Sequence, residues 1–504
     1  MRTKKASINI VVNILTYIIA LIPSFIIRKV FLDNLGSELL GLSSLFNNII
    51  GLLSLVELGI GTAIVFSLYK PFAENDRAKV KGYLDYYHKF YTGVAGIVFV
   101  LGIIIIPFLR FFTKGEVDLR ETSIYFLLYL VNTVISYLFS YKLCLLNVAQ
   151  EGYKVSLATA ISKVIISILQ IVFMKMYPSF YIYLIIQIVI QLIYFIVLNK
   201  YIDIKNPWLK TTKGIIKLEE KNSLKKNIKA LFLHKIGSFI VFSTDNLLIS
   251  AFINLTTVTI YNSYNMIIGA MQNLLNSGLS GITASIGNLL VEKDEKSAFE
   301  VHKKLFLLSF WVVSMIVITL SNTLHQFIAI WMGQDQLIDN LTLIIILINL
   351  YFSLMRSVVE KFQEGSGNYY QDRYASLIES AINLVASLIL VKIMGLPGIF
   401  LGTLLSNILV VFWVKPVVVY KYVFKENVKF YFITYFKYIC ILLIPLFVCN
   451  LVTSKIQTNY NIISFLFNGL LNIVVINLIY LLIFRKNKEF LFFKNTIMKI
   501  LLKK

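Results

Sequence analysis

The residues that could do chemistry in this sequence are single ionisable side chains set into long apolar stretches. They are Arg28, Lys29, Glu57, Lys142 and Lys163, then His234, Lys235, Asp245, Arg356, Glu360 and Glu379. The usual catalytic constellations do not form around them. His88, His234, His302 and His325 lack metal-ligand spacing. No G-x-x-x-x-G-K-[ST] phosphate loop occurs, so there is no nucleotide site of that kind. Gly59-Ile60-Gly61 is a lone glycine pair, read as close packing or a helix break. Cys144, Cys440 and Cys449 lie in apolar stretches and read as small core residues, not as a disulfide framework. The chemistry open to these charges is recognition and charge movement.

The elements that must position them follow from composition. The 504 residues are 58% hydrophobic and 15% charged, with a mean hydropathy of +0.77; a soluble domain carries about 25% charged residues. Apolar runs long enough to cross a bilayer recur from end to end, so the chain reads as an all-α polytopic membrane protein. There a buried charge costs a few kcal/mol and normally faces a cavity or a partner. Arg28, Lys29, Lys142 and His234 fall near span ends, where snorkelling to headgroups is the alternative. Lys163 lies further in, though a long side chain still reaches the surface. Glu57 and Asp245 are too short to snorkel, which leaves a cavity or a buried ion pair. Arg356 and Glu360, four apart on one helix face, can neutralise each other.

About fourteen helices fit the pattern: 8–32, 38–68, 82–110, 121–149, 154–176 and 179–200 in a first lobe, then 230–253, 258–290, 302–321, 338–362, 373–394 and 397–421 in a second, with a final pair at 429–452 and 460–484. The N-terminal run is read as an uncleaved first helix, since no A-x-A site follows it. Four segments result: a six-helix lobe (1–200), a basic connector (201–229), a second six-helix lobe (230–425), and an extra helix pair with a basic tail (426–504). The layout of Leu35–Lys81, an apolar span, a glycine-punctuated end and a charged loop, returns at Val258–Lys304. Parallel repeats of this sort place a substrate path between the halves of a transporter.

The net charge of +22 sits mainly in alternate loops: Lys70 to Lys81, Lys200 to Lys229, Lys293 to Lys304, Lys415 to Lys429, and the tail from Arg485. The intervening loops, Asp33 to Glu38, Asn254 to Thr257, Gln334 to Asp339 and Thr453 to Tyr460, are short and nearly neutral. That is the positive-inside pattern, with both termini cytoplasmic, and it excludes a nucleic-acid partner as the reason for the charge. The short outer loops leave little room for an enzyme's reacting groups, so a carrier is expected, not an enzyme. Cations exceed acids among the embedded charges, which suits an anionic cargo such as a diphosphate. Tyr125, Tyr129, Tyr137 and Tyr141 recur at helical spacing, as a packed helix face or as a surface for stacking sugars.

Three stretches resemble a known family. Arg28-Lys29 … Leu35-Gly36 … Gly41 … Glu57-Leu58-Gly59-Ile60-Gly61-Thr62 is similar to the opening of the bacterial polysaccharide transporters, the oligosaccharide-lipid flippases of the multidrug/oligosaccharidyl-lipid/polysaccharide exporter superfamily. Ser243–Gly269 resembles the start of that family's second lobe, and Gly367–Asn407 its helix 11–12 region. The resemblance implies two six-helix bundles around an alternately opening cavity in the bacterial plasma membrane. Its cargo would be oligosaccharide repeat units on undecaprenyl diphosphate, for capsule or another surface polysaccharide. Membrane lipids, the pathway's polymerase and its glycosyltransferases are the implied partners. No cofactor is implied beyond a coupling H+ or Na+. Arg28, Lys29, Glu57, Lys142, Lys235, Asp245, Arg356 and Glu379 are the expected cavity residues, with Glu57, Asp245 and Glu379 as ion-coupling candidates. In related lipid II flippases, helix 7 contributes basic residues; here it carries Asp245, with His234 and Lys235 left to serve. An ion-coupled multidrug or cation exporter, and a lipid II or teichoic-type precursor flippase, are the alternatives. Fourteen helices favour the flippase branches over the twelve-helix drug exporters.

Overall fold

The computed structural model describes residues 2–57, 60–222, 224, 244–292, 295–366, 368, 371–456 and 461–501, and no strand occurs among them. It divides into two compact units, Met1–Thr259 and Ile260–Lys504. Residues 244–259 fall in the first unit, to which the hydrogen bonds given below tie them.

In the first unit, α1 (Arg2–Leu53) bends at Gly36, whose φ of 83° is left-handed and open to glycine at little steric cost. The bend separates the first two expected spans. The second expected span, 38–68, is not continuous. It passes through a 3-10 turn, Ser54–Glu57, before α2 (Ile60–Ala73). The E-L-G-I-G sequence has low helix propensity, and a 3-10 segment inside a helical span often marks a hinge. There follow α3 (Arg77–Ile105), α4 (Leu109–Thr113), α5 (Leu119–Ser140), α6 (Cys144–Val148), α7 (Gly152–Met176), α8 (Phe180–Lys205) and the short α9 (Trp208–Thr211). Asp76 caps α3 by accepting from the Lys79 N–H at 3.0 Å. Helix α10 is described over 244–252. Tyr125, Tyr129 and Tyr137 are buried. Tyr125 and Tyr129 pack among Phe46 and Phe180 with ring centroids 4.6–6.5 Å apart, which is the packed-face reading of those tyrosines.

Helix α11 (Leu255–Glu292) begins in the first unit and runs into the second. It is followed by α12 (Glu295–Trp331), α13 (Asn340–Ser366), α14 (Ala375–Met394), α15 (Leu396–Ser406) and α16 (Phe412–Val419). Two π segments, Asn407–Val411 and Tyr420–Phe424, flank α16. The final pair is α17 (Lys429–Ile456) and α18 (Ile462–Phe484), of which α18 is tied to α12 by amide side chains. The Trp311 indole N–H donates to Asn477 at 2.9 Å, Asn322 donates to Asn472 at 3.0 Å, and Asn468 donates to Gln326 at 3.2 Å. Between helices in lipid such amides supply directional attraction that adds to close packing, because the hydrophobic effect gives no driving force there. The tail folds into α19 (Lys488–Leu501). Its Phe490 stacks on Trp311 at 5.6 Å, and Lys304 lies 3.9 Å over the Phe492 ring.

Eleven helices among the described residues are long and apolar enough to span a bilayer. The longest of these, Leu15–Leu53, takes in the bend at Gly36, and α10 with α11 stands where the seventh and eighth spans were expected. Outward-facing Val197, Leu470, Leu482 and Ile463 are more than half exposed, as a lipid-facing surface requires. This is an all-α, multi-pass membrane protein of about fourteen membrane-spanning helices.

Candidate functional site

The bend at Gly36 brings α1 against the start of α11 at the end carrying the short neutral loops. Arg28 donates through Nη2 to the Thr259 carbonyl at 2.7 Å. Thr259 Oγ1 donates to the Ser37 carbonyl at 2.6 Å, and the Ser37 and Thr256 hydroxyls lie 3.3 Å apart. The α4 end closes the same ring. Lys114 donates to the Ile253 carbonyl at 2.8 Å, Ser250 to the Phe112 carbonyl at 2.5 Å, and the Leu255 N–H to Glu116 at 3.1 Å. Polar groups of α1, α10 and α11 and of the end of α4 are thus satisfied together at this end. Lys29, beside Arg28, pairs instead with Asp33 at 2.7 Å on a half-exposed surface.

Glu57, at the 3-10 break, accepts a hydrogen bond from the Tyr91 hydroxyl. Tyr91 meets Tyr87 edge-on at 4.3 Å and Tyr137 at 5.5 Å. The carboxylate therefore sits on a wall of phenols from α3 and α5. Tyr91→Phe removes its hydroxyl donor and is expected to lower the unfolding free energy by about 1.5–3 kcal/mol. Thermal denaturation of the purified protein checks this; an unchanged melting temperature would place Glu57 in contact with solvent instead.

Lys142 makes both bonds to Asp203, at 2.7 and 2.9 Å, each side chain about one-fifth exposed. That pair links α8 to the turn before α6 at the basic-loop end. Asp203, hidden among the lysines of the connector, carried no distinguishing sequence signal. In the adjoining loop, Glu151 accepts from Lys154 at 2.8 Å and Lys205 at 2.5 Å. Burial works to raise the Glu151 pKa, but the two ammonium groups outweigh it and hold the carboxyl below its usual value. Lys163 is exposed.

In α10, Asp245 is 9% exposed, and among the described residues its Oδ1 has no hydrogen-bond partner; the neighbouring Thr244 hydroxyl is in the same position. A buried carboxylate oxygen left open is uncommon and asks for a proton, a water or a cation. His234 and Lys235 lie outside the described residues.

The second unit gathers the remaining charges on α13, α14 and the π-interrupted helix. Arg356 donates through Nε to Glu360 at 2.8 Å and through Nη1 to Asn407 Oδ1 at 2.6 Å. Asn407 opens the first π segment, and π segments recur at functional sites. Glu379, one turn into α14, lies within electrostatic reach of Arg356, Glu360 and Lys415. Lys415 donates to Asp372 at 2.6 Å and to Gln363 at 3.1 Å. The Asp372 side chain is only 2% exposed, and its Oδ1 has no hydrogen-bond partner among the described residues. The sequence places Lys415 at the head of a basic loop; the structure pairs it with Asp372, 43 residues away.

No protein-family model and no curated protein sequence matches the chain. Solved structures do. A lipid II flippase, MurJ, in an inward closed conformation superposes with a TM-score of 0.73 at 16% identity, covering 94% of this chain and 99% of that one. An inward-facing multidrug resistance MATE family transporter of the MOP superfamily gives 0.61 at 15% identity, covering 79% and 95%. A mutant of the Vibrio cholerae MATE transporter VcmN gives 0.58 at 14%, covering 85% and 100%. At these identities the likeness establishes a shared fold.

Proposed function

We propose that this chain is a flippase that carries undecaprenyl-diphosphate-linked oligosaccharide from the cytoplasmic to the outer leaflet, for capsule or another surface polysaccharide. The observation that carries the reading is the likeness to a lipid flippase over 94% of the chain; the two MATE-type transporters match less of it. The excess of cations among the embedded charges in the sequence favours an anionic cargo, with Lys29, Lys142 and Arg356 paired to Asp33, Asp203 and Glu360 in this structure. Arg28, which donates to the Thr259 carbonyl, carries the planar guanidinium fork that suits a phosphate. No bond is made or broken in this reading; the cargo changes the balance between inward-open and outward-open states. The likeness to MurJ also favours a second cargo of the same chemistry, lipid II or a teichoic-type precursor.

Coupling would use Glu57, Asp245 or Glu379 as the site of a H+ or Na+. The open, buried oxygen of Asp245 supports it most directly. If collapsing the membrane ion gradient leaves flipping unchanged, this part is wrong.

Depletion of the protein is expected to accumulate one defined lipid-linked repeat unit in the cytoplasmic leaflet. Wild-type protein should reverse this and Arg28→Ala should not. Normal surface polysaccharide without accumulation, together with altered drug resistance, would point to a cation exporter. Polymer made by the purified protein from already flipped units would point to a polymerase.

A further inference from the structure

At the basic-loop end of the first unit, a cleft of about 520 Å³ opens between the α2–α3 turn and the end of α8, walled by Phe72, Asn75, Arg77, Lys205, Asn206 and Trp208. Its volume is that of a small-ligand site. Arg77 makes no ion pair among the described residues. Acids of the adjoining segments have partners of their own: Asp76 caps α3, Glu74 faces Lys70 at 3.9 Å, and Glu151 holds Lys205.

The chain after α9 is strapped over the same end of α3. The Ile215 N–H donates to the Ala78 carbonyl at 3.0 Å, and Lys79 pairs with Glu220 at 2.5 Å. A Cβ on Gly214 would stand 2.8 Å from the Gly82 backbone, so the strap lies directly on the helix. Next in the chain to Lys205, Ile204 is 79% exposed, and on the strap Ile215 (62%) and Leu218 (73%) also present bare apolar side chains. Such residues beside Trp208 and basic groups are the composition of a membrane interface, not of a site for a soluble anion.

We infer that this cleft binds the phosphate of a membrane lipid in the leaflet faced by the basic loops. The Arg77 guanidinium grips the phosphate oxygens, the Asn75 and Asn206 amides and the Trp208 indole frame the headgroup, and the acyl chains leave past Ile204, Ile215 and Leu218. A phosphate held there bridges the start of α3 to the end of α8, adding a second tie beside the strap. The inference needs only the membrane placement of the chain and is independent of the proposed cargo.

Native mass spectrometry of the full chain, offered phosphatidylglycerol, undecaprenyl diphosphate and a phosphate-free glycosyl diacylglycerol in turn, tests it. One phosphatidylglycerol is expected to stay bound, and Arg77→Gln is expected to weaken that binding about tenfold. Arg77→Lys keeps the charge but loses the fork and should fall between; it also carries the test if Arg77→Gln does not fold. Arg77-dependent retention of undecaprenyl diphosphate in preference to phosphatidylglycerol supports the same phosphate site and assigns it to the carrier lipid. Equal retention by folded Arg77→Gln, or glycolipid held as tightly as the phospholipid, overturns the inference.

Discussion

Arg356→Ala is expected to destabilise the protein by about 3 kcal/mol, the low end for a broken buried ion pair. Arg356 is 13% exposed and Glu360 35%, so the carboxylate left behind keeps some access to water and the cost stays below the upper end. Asn407 would lose its donor as well, opening the first π segment to rearrangement. The double variant Arg356→Met with Glu360→Gln removes both charges and should recover most of the loss, because no uncompensated ion remains. The pair of measurements, melting temperature and flipping, separates two roles. If the double variant restores stability but not flipping, Arg356 serves the cargo or its coupling. If both return, the pair is structural. A single alanine variant as stable as wild type would refute the geometry itself.

The second large effect is expected at Gly41. An added Cβ there would run into the Leu255 carbonyl oxygen and stand 2.7 Å from its carbon. The obstacle is backbone, which cannot rotate aside as a side chain would. Gly41→Val should therefore force α1 away from the start of α11 and break the ring formed by Arg28, Ser37, Thr256 and Thr259. Overpacking of this kind costs about 1–3 kcal/mol, which as a shift between closed and open forms is about 5–150-fold. A cysteine placed at Thr256, in a background lacking the exposed Cys440, should react faster with a water-soluble thiol reagent by a factor in that range. Unchanged labelling would mean that this ring does not hold the neutral-loop end shut.

Much of the architecture is legible in the sequence because a bilayer imposes a length rule. Every backbone polar group must be satisfied within its own helix, so apolar run length and loop charge mark the spans without any tertiary information. The bend between the first two spans falls at Gly36, inside the loop the charge pattern had marked. The extra helix pair, α17 and α18, stands where its apolar runs begin and end. The i,i+4 relation of Arg356 and Glu360 reads directly off helical spacing, and the structure forms that pair.

What the embedded charges touch was not legible, because partners far apart in the chain leave no periodic trace. Lys142 and Asp203 are 61 residues apart, Lys415 and Asp372 are 43, and Arg28 and Thr259 are 231. Arg28 and Lys29 are adjacent and of one charge, so the sequence treats them alike. The helix turns them about 100° apart, giving one a buried carbonyl and the other a surface aspartate. Glu57 looked like an isolated charge in mid-span, whereas the 3-10 turn sets it against Tyr91. The sequence by itself determined that this chain crosses the membrane many times and where its charges lie along each helix. Only the tertiary structure decided which charges are already spent on one another and which, as at Asp245, keep an open valence, because that choice rests on helix rotation and packing between distant segments.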